Sequence, residues 1–393
     1  MKRRWVVSVV VAVLLSGCGL PADPAPTPQP VPPSESASAV PLPTLAPKPT
    51  VVTGSGRWLF MGDLFVGRYI NDWSMASPLK QAYPFQNLDQ FNRGAYTSWV
   101  ANLECPSIPG LHLTSAQEDA TLEFNCEPEY LPEIAQWFDA VSMANNHSGN
   151  RGPEGFATTQ QQLAANGIQY FGSDDPAGQD CNVITLDVNI AMSDQSTQTW
   201  PIPFAYCGYD GVFAYPTADQ VGQITTYSAL LPTIAWPHSG LEYKASPDQM
   251  KIDLYRSMID AGADMVIGNH AHWVQNTEAY HGKLIMYSIG NFIFDQQSNV
   301  EVTRSAMPDI SFTVANPQAL AGWAAIADRC RNDFATCQAL AAANHLPRLQ
   351  LQYTYGIQAS NDADKLVKPA TADQLAAIKA RLQWDATMAA LGQ

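Results

Sequence analysis

Nowhere does this sequence offer the roughly 20 uninterrupted apolar residues that a helix needs to cross a bilayer. Basic charge is scarce as well: 21 Lys and Arg stand against 36 Asp and Glu, a formal net charge of −15 in 393 residues. Such a balance excludes a nucleic-acid backbone as the main partner, because that binding rests on many cationic contacts to phosphate. It also repels any other polyanion, which would have to be met locally by a metal ion or an arginine. Seven cysteines are present, yet no two have Cys-x-x-Cys spacing. Neither a thiolate zinc site nor a dithiol redox pair is therefore encoded. No internal repeat is visible.

One short apolar run does occur, at the N-terminus. Lys2, Arg3 and Arg4 precede residues 5–15, a positive region followed by an apolar stretch too short to span a membrane. Leu15-Ser16-Gly17-Cys18 closes the segment with small residues and a cysteine, which resembles the bacterial lipobox. Residues 1–18 are thus expected to be a lipoprotein signal, with Cys18 diacylated and the chain exported and lipid-anchored at the extracytoplasmic face of the cell membrane. An ordinary secretory signal would instead leave Cys18 as a free thiol. Loss of the three basic residues takes the formal charge from −15 to −18. Residues 19–50 read as a disordered Pro-rich linker, since positions 21–50 hold eleven of the 29 prolines and only three charged side chains. In polyproline II geometry, at ~3.1 Å per residue, that stretch reaches up to about 90 Å and serves as a spacer.

Setting Cys18 aside leaves Cys105, Cys126, Cys181, Cys207, Cys330 and Cys337. An even number in an oxidising compartment reads as disulfides. The simplest pairing is sequential, although six cysteines allow fifteen connectivities.

From residue 51 onward about 340 residues remain, enough for a large core in one domain with an elaboration. Short β-rich runs alternate with helical stretches, the pattern of an α/β fold. Strands are expected over 57–61, 98–103, 138–143, 168–171, 231–236, 265–267, 284–287 and 292–294. A helix is expected over 153–166, with Pro153 in its first turn and Gly167 after its end, and another to 261 with Ser246 and Pro247 as its N-cap and first residue. The main domain is placed at 51–300. Residues 301–393 carry no motif; Ala-rich stretches at 317–340 and 370–391 read as helices, so this part is expected to be a mostly helical extension packed on the domain.

Polar, ligand-capable residues recur just past the strands, where an α/β scaffold presents side chains to a shared crevice. Asp63, Glu104, Asn146, His147, His238, His270 and His272 are the candidates for one cluster. Any one of them alone reads as a turn residue, a cap or a hydrogen-bonded structural histidine. Four of the seven His share the placement, however, two at His-x-His spacing, whereas His112, His281 and His345 fall outside it. Imidazole, carboxylate and amide oxygen together suit one or two divalent transition metal ions, Mn, Zn or Fe. A carboxylate such as Glu104 could bridge two ions that clamp a phosphoryl group and activate a water.

In order along the chain, Gly62-Asp63 with Gly67-Arg68, Asn102-Leu103-Glu104, Ala144-Asn145-Asn146-His147, the stretch from Trp236 to Tyr243, the block at 262–272 and Tyr287-Ser288-Ile289-Gly290-Asn291-Phe292 resemble the signature blocks of the CapA family of capsule-synthesis proteins. The match runs over 57–296. The resemblance implies a calcineurin-like metallophosphatase fold, a four-layer α/β/β/α sandwich with two facing mixed sheets, and an association with poly-γ-glutamate capsule or another envelope polymer. It makes Asp63, Glu104, Asn146, His238, His270 and His272 the metal set and His147 the general acid beside the leaving group. Arg68, Asn102, Glu242 and Asn291 belong to the same blocks and would either touch substrate or hydrogen-bond the loops; Arg151, not counted among them, is a lesser candidate for an anion contact. The wider superfamily opens its site with Asp-x-His, but here position 65 is Phe, so one ion would have fewer protein ligands. His238-Ser239-Gly240 and Ala271 also stand where the family has His-Trp-Gly and Pro. Glu104 adjoins Cys105, so a first disulfide would stiffen a ligand loop.

Two function classes follow. One is a metal-dependent hydrolase of phosphoesters or another envelope-linked bond, working with capsule-synthesis machinery. The other is a non-catalytic protein that uses the metal-containing crevice to hold or export a polyanionic polymer.

Overall fold

The computed structural model describes residues 49–175 and 178–393. The expected signal segment, Cys18 and the expected linker up to residue 48 lie outside the described residues. Among the described residues no helix is long and apolar enough to cross a membrane.

The fold divides at one long strand, β1 (Val51–Leu64). Its second half pairs in parallel with β2 (Ser98–Leu103), which pairs with β3 (Ala140–Ser142), which pairs with β4 (Gln169–Phe171). Its first half pairs antiparallel with β5 (Cys181–Met192). From β5 a second arm continues through β6 (Thr197–Gly211), β7 (Thr233–Ser239) and β8 (Met265–Ile267), with β9 (Thr277–Tyr280) outside β10 (Lys283–Met286) at its end. The short β11 (Asn291–Ile293) lies parallel to the end of β1. On the free side of β1 come β12 (Arg304–Val314), β13 (Leu351–Asn361) and β14 (Lys368–Pro369).

Side-chain alternation along β1 and β2 turns this branched sheet into layers, because successive residues point to opposite faces. Trp58, Phe60, Val100 and Phe171 face the second arm. Ring centroids there lie 5.0 Å apart for Trp58 and Phe204, 5.2 Å for Phe60 and Trp236, and 5.0 Å for Phe171 and Tyr206. Each such buried aromatic contributes on the order of 2–3 kcal/mol. Leu59, Met61, Trp99 and Val141 point the other way. They meet α1 (Arg68–Ala76), α3 (Leu131–Ile134) and α4 (Gly152–Ala165) through Ile70, Leu131, Ile134 and Leu163, with α2 (Ser115–Thr121) alongside α1. The outer face of the second arm is covered by α5 (Ala218–Ser228), α6 (Gln249–Asp260) and α7 (Leu320–Cys330) through Ile224, Met258 and Trp323. The result is a mixed α/β sandwich of helix, sheet, sheet and helix, its two sheet layers joined through β1.

The placement of a helical extension at 301–393 is corrected. Two eleven-residue strands, β12 and β13, extend the sheet from β1, so the part after 300 is integral to the core. Pro308 obscured β12, since proline inside an apolar run argues against a central strand. In fact Pro308 lies one residue past the last β1 pairing, Leu59 with Asp309. Strand β6 went unread for a related reason: Pro201 and Pro203 sit in the part of it that precedes its pairing with β7, which begins at Ala205; its partner β5, which has no proline, was not read either. The stretch 317–340 is not one helix but a 3₁₀ turn (Pro317–Ala319), α7 and α8 (Phe334–Ala343), the last capped by the Asp333 carboxylate. α9 (Ala372–Leu382) and α10 (Trp384–Ala390) complete the chain. Helix α6 starts later than Ser246, because Asp248 takes the cap by accepting from the Lys251 N–H at 2.9 Å. The bonded cysteine pairs are Cys105–Cys126, Cys181–Cys207 and Cys330–Cys337.

Candidate metal centre

Parallel strands β1, β2, β3, β7, β8 and β11 bring their ends to one edge of the sandwich. Asp63 on β1 is in register with Asn102 on β2 and with Asn291 on β11. This close approach needs glycine: a Cβ on Gly62 would stand 1.7 Å from the Gly290 carbonyl oxygen. That same carbonyl accepts the Asp63 N–H at 3.2 Å. His238 is the penultimate residue of β7, and its backbone bridges to Asn269 just after β8. His270 and His272 follow with φ of 85° and 55°, a left-handed conformation rare for residues with a Cβ and stored most often at functional sites.

All six residues assigned to the metal set meet there. His238 Nε2 lies 3.0 Å from Asn146 Oδ1, 3.2 Å from His270 Nδ1 and 3.7 Å from Glu104 Oε1. On the other side of Glu104, ligand atoms of Asp63, Glu104 and His272 all lie within 4.8 Å of one another. Two groups of ligand atoms thus share Glu104.

Both carboxylates are fully buried, and Asp63 Oδ2 and Glu104 Oε2 have no hydrogen-bond partner. Burial drives the Asp63 carboxyl up to about 7, and Glu104 is raised well above the carboxylate range by burial and then by the Asp63 charge. Two buried carboxylates with orphan oxygens are costly unless a cation compensates them. The histidines have the opposite problem. Burial, reinforced by the repulsion that protonated neighbouring histidines and Lys251 would exert, lowers His238 well below its usual value and His270 to about 2; burial also takes His272 to about 4 against its bond to Asn291. They are neutral imidazoles, the form that binds metal. The donor set therefore fits a divalent cation.

The other candidates separate by role. Asn102 Nδ2 donates to Asp63 Oδ1 at 2.9 Å and faces His238 Nδ1 at 3.2 Å, and Asn291 Oδ1 lies 2.8 Å from His272 Nδ1. Both amides hold ligands rather than reach outward. Glu242 is partly exposed, 3.8 Å from His272 Nε2. Arg68 is occupied: its guanidinium makes a two-pronged bond with Asp295 at 2.7 and 2.6 Å and lies 3.3 Å from Asp119. Arg151 binds Glu123 and the Phe124 carbonyl, bracing a loop. His147 stands at the rim, its ring against Phe124 and its Nδ1 3.2 Å from Asn150 Oδ1. Burial lowers it to about 4. Phe65 is buried between Phe124 and Phe294 and supplies no ligand. His112 and His281 lie at the surface beside Glu127 and Asp260.

Sequence reasoning missed several contributors. Asn145 donates to Asn102 Oδ1 and accepts from the His147 N–H, so it links two candidate blocks; its place beside Asn146 was the available signal. Tyr243 stacks on His272. Lys251, fully buried, donates to Gln275 Oε1 at 3.1 Å, and Gln275 Nε2 donates to the Lys244 carbonyl, clamping together the two loops that carry the histidines. The 251, 254, 255, 258 spacing of buried positions on α6 would have shown Lys251 facing inward.

The fold is thus a layered α/β scaffold whose buried His, carboxylate and amide cluster, at the ends of its parallel strands, could hold a metal ion. The chain belongs to the family described as bacterial capsule synthesis protein PGA_cap, which matches residues 57–296. It is 23% identical over 257 residues to the capsule biosynthesis protein CapA of Bacillus anthracis, covering 60% of this chain and 59% of that one. It is 25% identical over 246 residues to the PGA biosynthesis protein CapA of Bacillus subtilis, covering 60% and 63%. A probable polyglutamine synthesis accessory protein of Mycobacterium tuberculosis is 24% identical over 212 residues, covering 49% and 56%. The chain spans less than two thirds of the length of each of these relatives.

Proposed function

We propose that this chain is a metal-dependent hydrolase of the phosphoesterase type, acting in capsule, poly-γ-glutamate or other envelope polymer synthesis or anchoring. The observation that carries the reading is the shared carboxylate, Glu104, between two buried groups of ligand atoms whose two orphan oxygens require positive charge. Asp63, Glu104, Asn146, His238, His270 and His272 would hold one or two divalent ions, Mn, Zn or Fe. Such ions supply Lewis-acid charge at a phosphoryl oxygen. The chain's own part is positional: Asn102 fixes Asp63, Asn291 fixes His272, and His147 presents Nε2 at the rim for proton transfer. The family relatives' names support the envelope-polymer context, and Lys2–Arg4, the apolar run and Cys18 support an exported protein held at the membrane by lipid, in reach of capsule-synthesis machinery.

A second reading, a non-catalytic holder or exporter of a polyanionic polymer, draws on one observation. Burial holds His147 neutral at pH 7, so it does not start as an imidazolium acid. The discriminating experiment is metal content of the purified chain together with hydrolysis of an aryl phosphate and a phosphodiester with and without Mn. Metal plus activity abolished in His270→Ala supports the hydrolase; metal without activity transfers the assignment to polymer holding, and failure to load any metal removes the site.

A further inference from the structure

The two groups of ligand atoms that share Glu104 are unequal. Around His238 an ion would find four protein ligands, Glu104, Asn146, His238 and His270, whereas Asp63, Glu104 and His272 make only three. One further carboxylate stands beside the smaller group. Glu242 Oε1 lies 3.8 Å from His272 Nε2, and among the described residues no lysine or arginine forms an ion pair with it.

That contact brings two acceptors together. Asn291 Nδ2 donates to the Val302 carbonyl, so its Oδ1 is the atom 2.8 Å from His272 Nδ1, and the ring proton is on Nδ1. Nε2 therefore meets the carboxylate oxygen with a lone pair. At 3.8 Å the two atoms are also too far apart for one proton to bridge them. A divalent ion suits the separation better: ligand atoms bonded to it at ~2.1 Å stand roughly 3.0 to 3.6 Å apart for angles of about 90 to 120°. The larger group shows the same range, with His238 Nε2 3.0 Å from Asn146, 3.2 Å from His270 and 3.7 Å from Glu104.

The chain holds Glu242 in this place. Gly240 has φ of +98° and Tyr243 of +56°, so a left-handed turn carries the residue between them, and such a conformation in a tyrosine is backbone strain of the kind kept at functional sites. Tyr243 ties the turn down. Its N–H donates at 2.9 Å to the carbonyl of Ala271, between the two histidines; its ring stacks on His272, and its hydroxyl accepts from Gln296 Nε2 at 2.9 Å. Charge points the same way. Glu104, raised first by burial and then by Asp63, is raised further by Glu242, while Arg68, which offsets this in part, is committed to Asp295 and Asp119.

We infer that Glu242 is a further metal ligand, which with Asp63, Glu104 and His272 completes the coordination of a second divalent ion. The inference rests on the metal-centre reading and adds a residue to it. Three carboxylates and one imidazole form an oxygen-rich donor set, which makes Mn the suitable probe.

The test titrates the metal-free full chain with Mn and reads the free ion by electron spin resonance. Glu242→Gln keeps the size of the side chain and removes its charge. The parent is expected to take two ions, and the variant to hold one of them unchanged and the other at least roughly tenfold more weakly. Asn146→Ala should weaken the opposite ion. Saturation with Co separates ligation from mere charge: loss of a ligand alters the visible absorption of the fully loaded variant, whereas a carboxylate acting through space leaves it as in the parent. Without metal the sign reverses, because the introduced amide can donate to Nε2, so the metal-free variant should melt no lower than the parent. Unchanged Mn affinity, an unchanged Co spectrum, or a metal-free variant that melts lower overturns the inference and frees the carboxyl at the rim. A parent chain that takes up no Mn overturns the metal centre and the inference together. Turnover is not part of the readout, so failure of the hydrolase reading alone leaves the ligand assignment standing.

Discussion

Asn291 Oδ1 accepts from His272 Nδ1 at 2.8 Å, and Asn291 is in turn fixed by donating from Nδ2 to the Val302 carbonyl at 3.1 Å. The bond sets the tautomer of His272, leaving Nε2 unprotonated. A histidine ligand held this way is oriented before metal arrives. Asn291→Ala should therefore lower metal affinity roughly 10- to 100-fold with the fold intact. Asn291→Asp, which still accepts from Nδ1, should recover most of it. Competition against a chelator measures both; an alanine form with undiminished affinity would dismiss the orienting role.

Gly62→Ala should fail differently. Its Cβ would enter the Gly290 carbonyl, backbone against backbone, and neither β1 nor the 288–291 turn can move without displacing Asp63 or Asn291. Overpacking of this kind costs on the order of 1–3 kcal/mol or more. The expected result is a lower denaturation midpoint together with weaker metal binding. A variant of unchanged midpoint would show that the two segments are free to part.

These two residues show what could be read in the sequence and what could not. Asp63, Glu104, His238 and His270 sit where apolar strands stop, and that local signal marked the edge where the site lies. Partnerships between strands are another matter. Nothing local says that Asp63 lies between Asn102 and Asn291, or that Arg68 is neutralised by Asp295, 227 residues away. The fold followed the same division. Compact strands such as Ser98–Leu103 and Met265–Ile267 were read with their observed bounds. Strands β5, β6, β12 and β13 were not, because prolines in β6 and β12 and half-exposed polar residues in β13 hide positions that only pairing explains.

Lys251 supplies a pH test. It is fully buried, and burial lowers its ammonium from 10.5 to about 7, against the pull of Asp248 and Asp63. Between about pH 7 and 10.5 the unfolded chain binds the proton that the folded chain has released, so the cost of burying the Lys251 ammonium is relieved progressively as pH rises. Below pH 7 both states carry the charge and that cost stands at its full, constant value. Lys251→Met removes the dependence. The stability of the unsubstituted chain relative to the variant should therefore rise by about 1.4 kcal/mol per pH unit through that window. Urea denaturation of both forms at pH 7, 8.5 and 10 reads it, and a constant difference would show that the lysine keeps its ordinary basicity.

The Cys105–Cys126 bond closes a segment whose ends serve both halves of the site. Cys105 follows Glu104 directly, and Phe124, two residues before Cys126, packs on the His147 ring with centroids 4.3 Å apart. Cys126 Sγ also accepts the Val66 N–H at 3.3 Å, near the end of β1. Replacing both cysteines by serine should cost about 3 kcal/mol by loop entropy for a 21-residue separation. Metal affinity should fall with it, because Glu104 loses its anchor. Serine and parent forms of equal metal affinity, compared well below the unfolding midpoint, would confine the disulfide to global stability.

His147 decides between chemistry and holding. Asn150 Oδ1 accepts from the Phe124 N–H and so must be the oxygen that His147 Nδ1 faces; the ring proton is on Nδ1 and the lone pair is on Nε2 at the rim. With the ring depressed to about 4 by burial, it begins as a proton acceptor at neutral pH and becomes an acid only once an anionic substrate beside it raises its basicity. His147→Gln removes that proton carrier while sparing all six candidate ligands. A hydrolase should lose roughly 10²- to 10⁴-fold in kcat with metal content unchanged. A polymer holder should keep its ligand affinity within a small factor, because Gln fills the same space beside Phe124. Loss of turnover accompanied by loss of metal would instead place His147 among the ligands, and the proton would then have to come from Glu242, the partly exposed carboxyl 3.8 Å from His272.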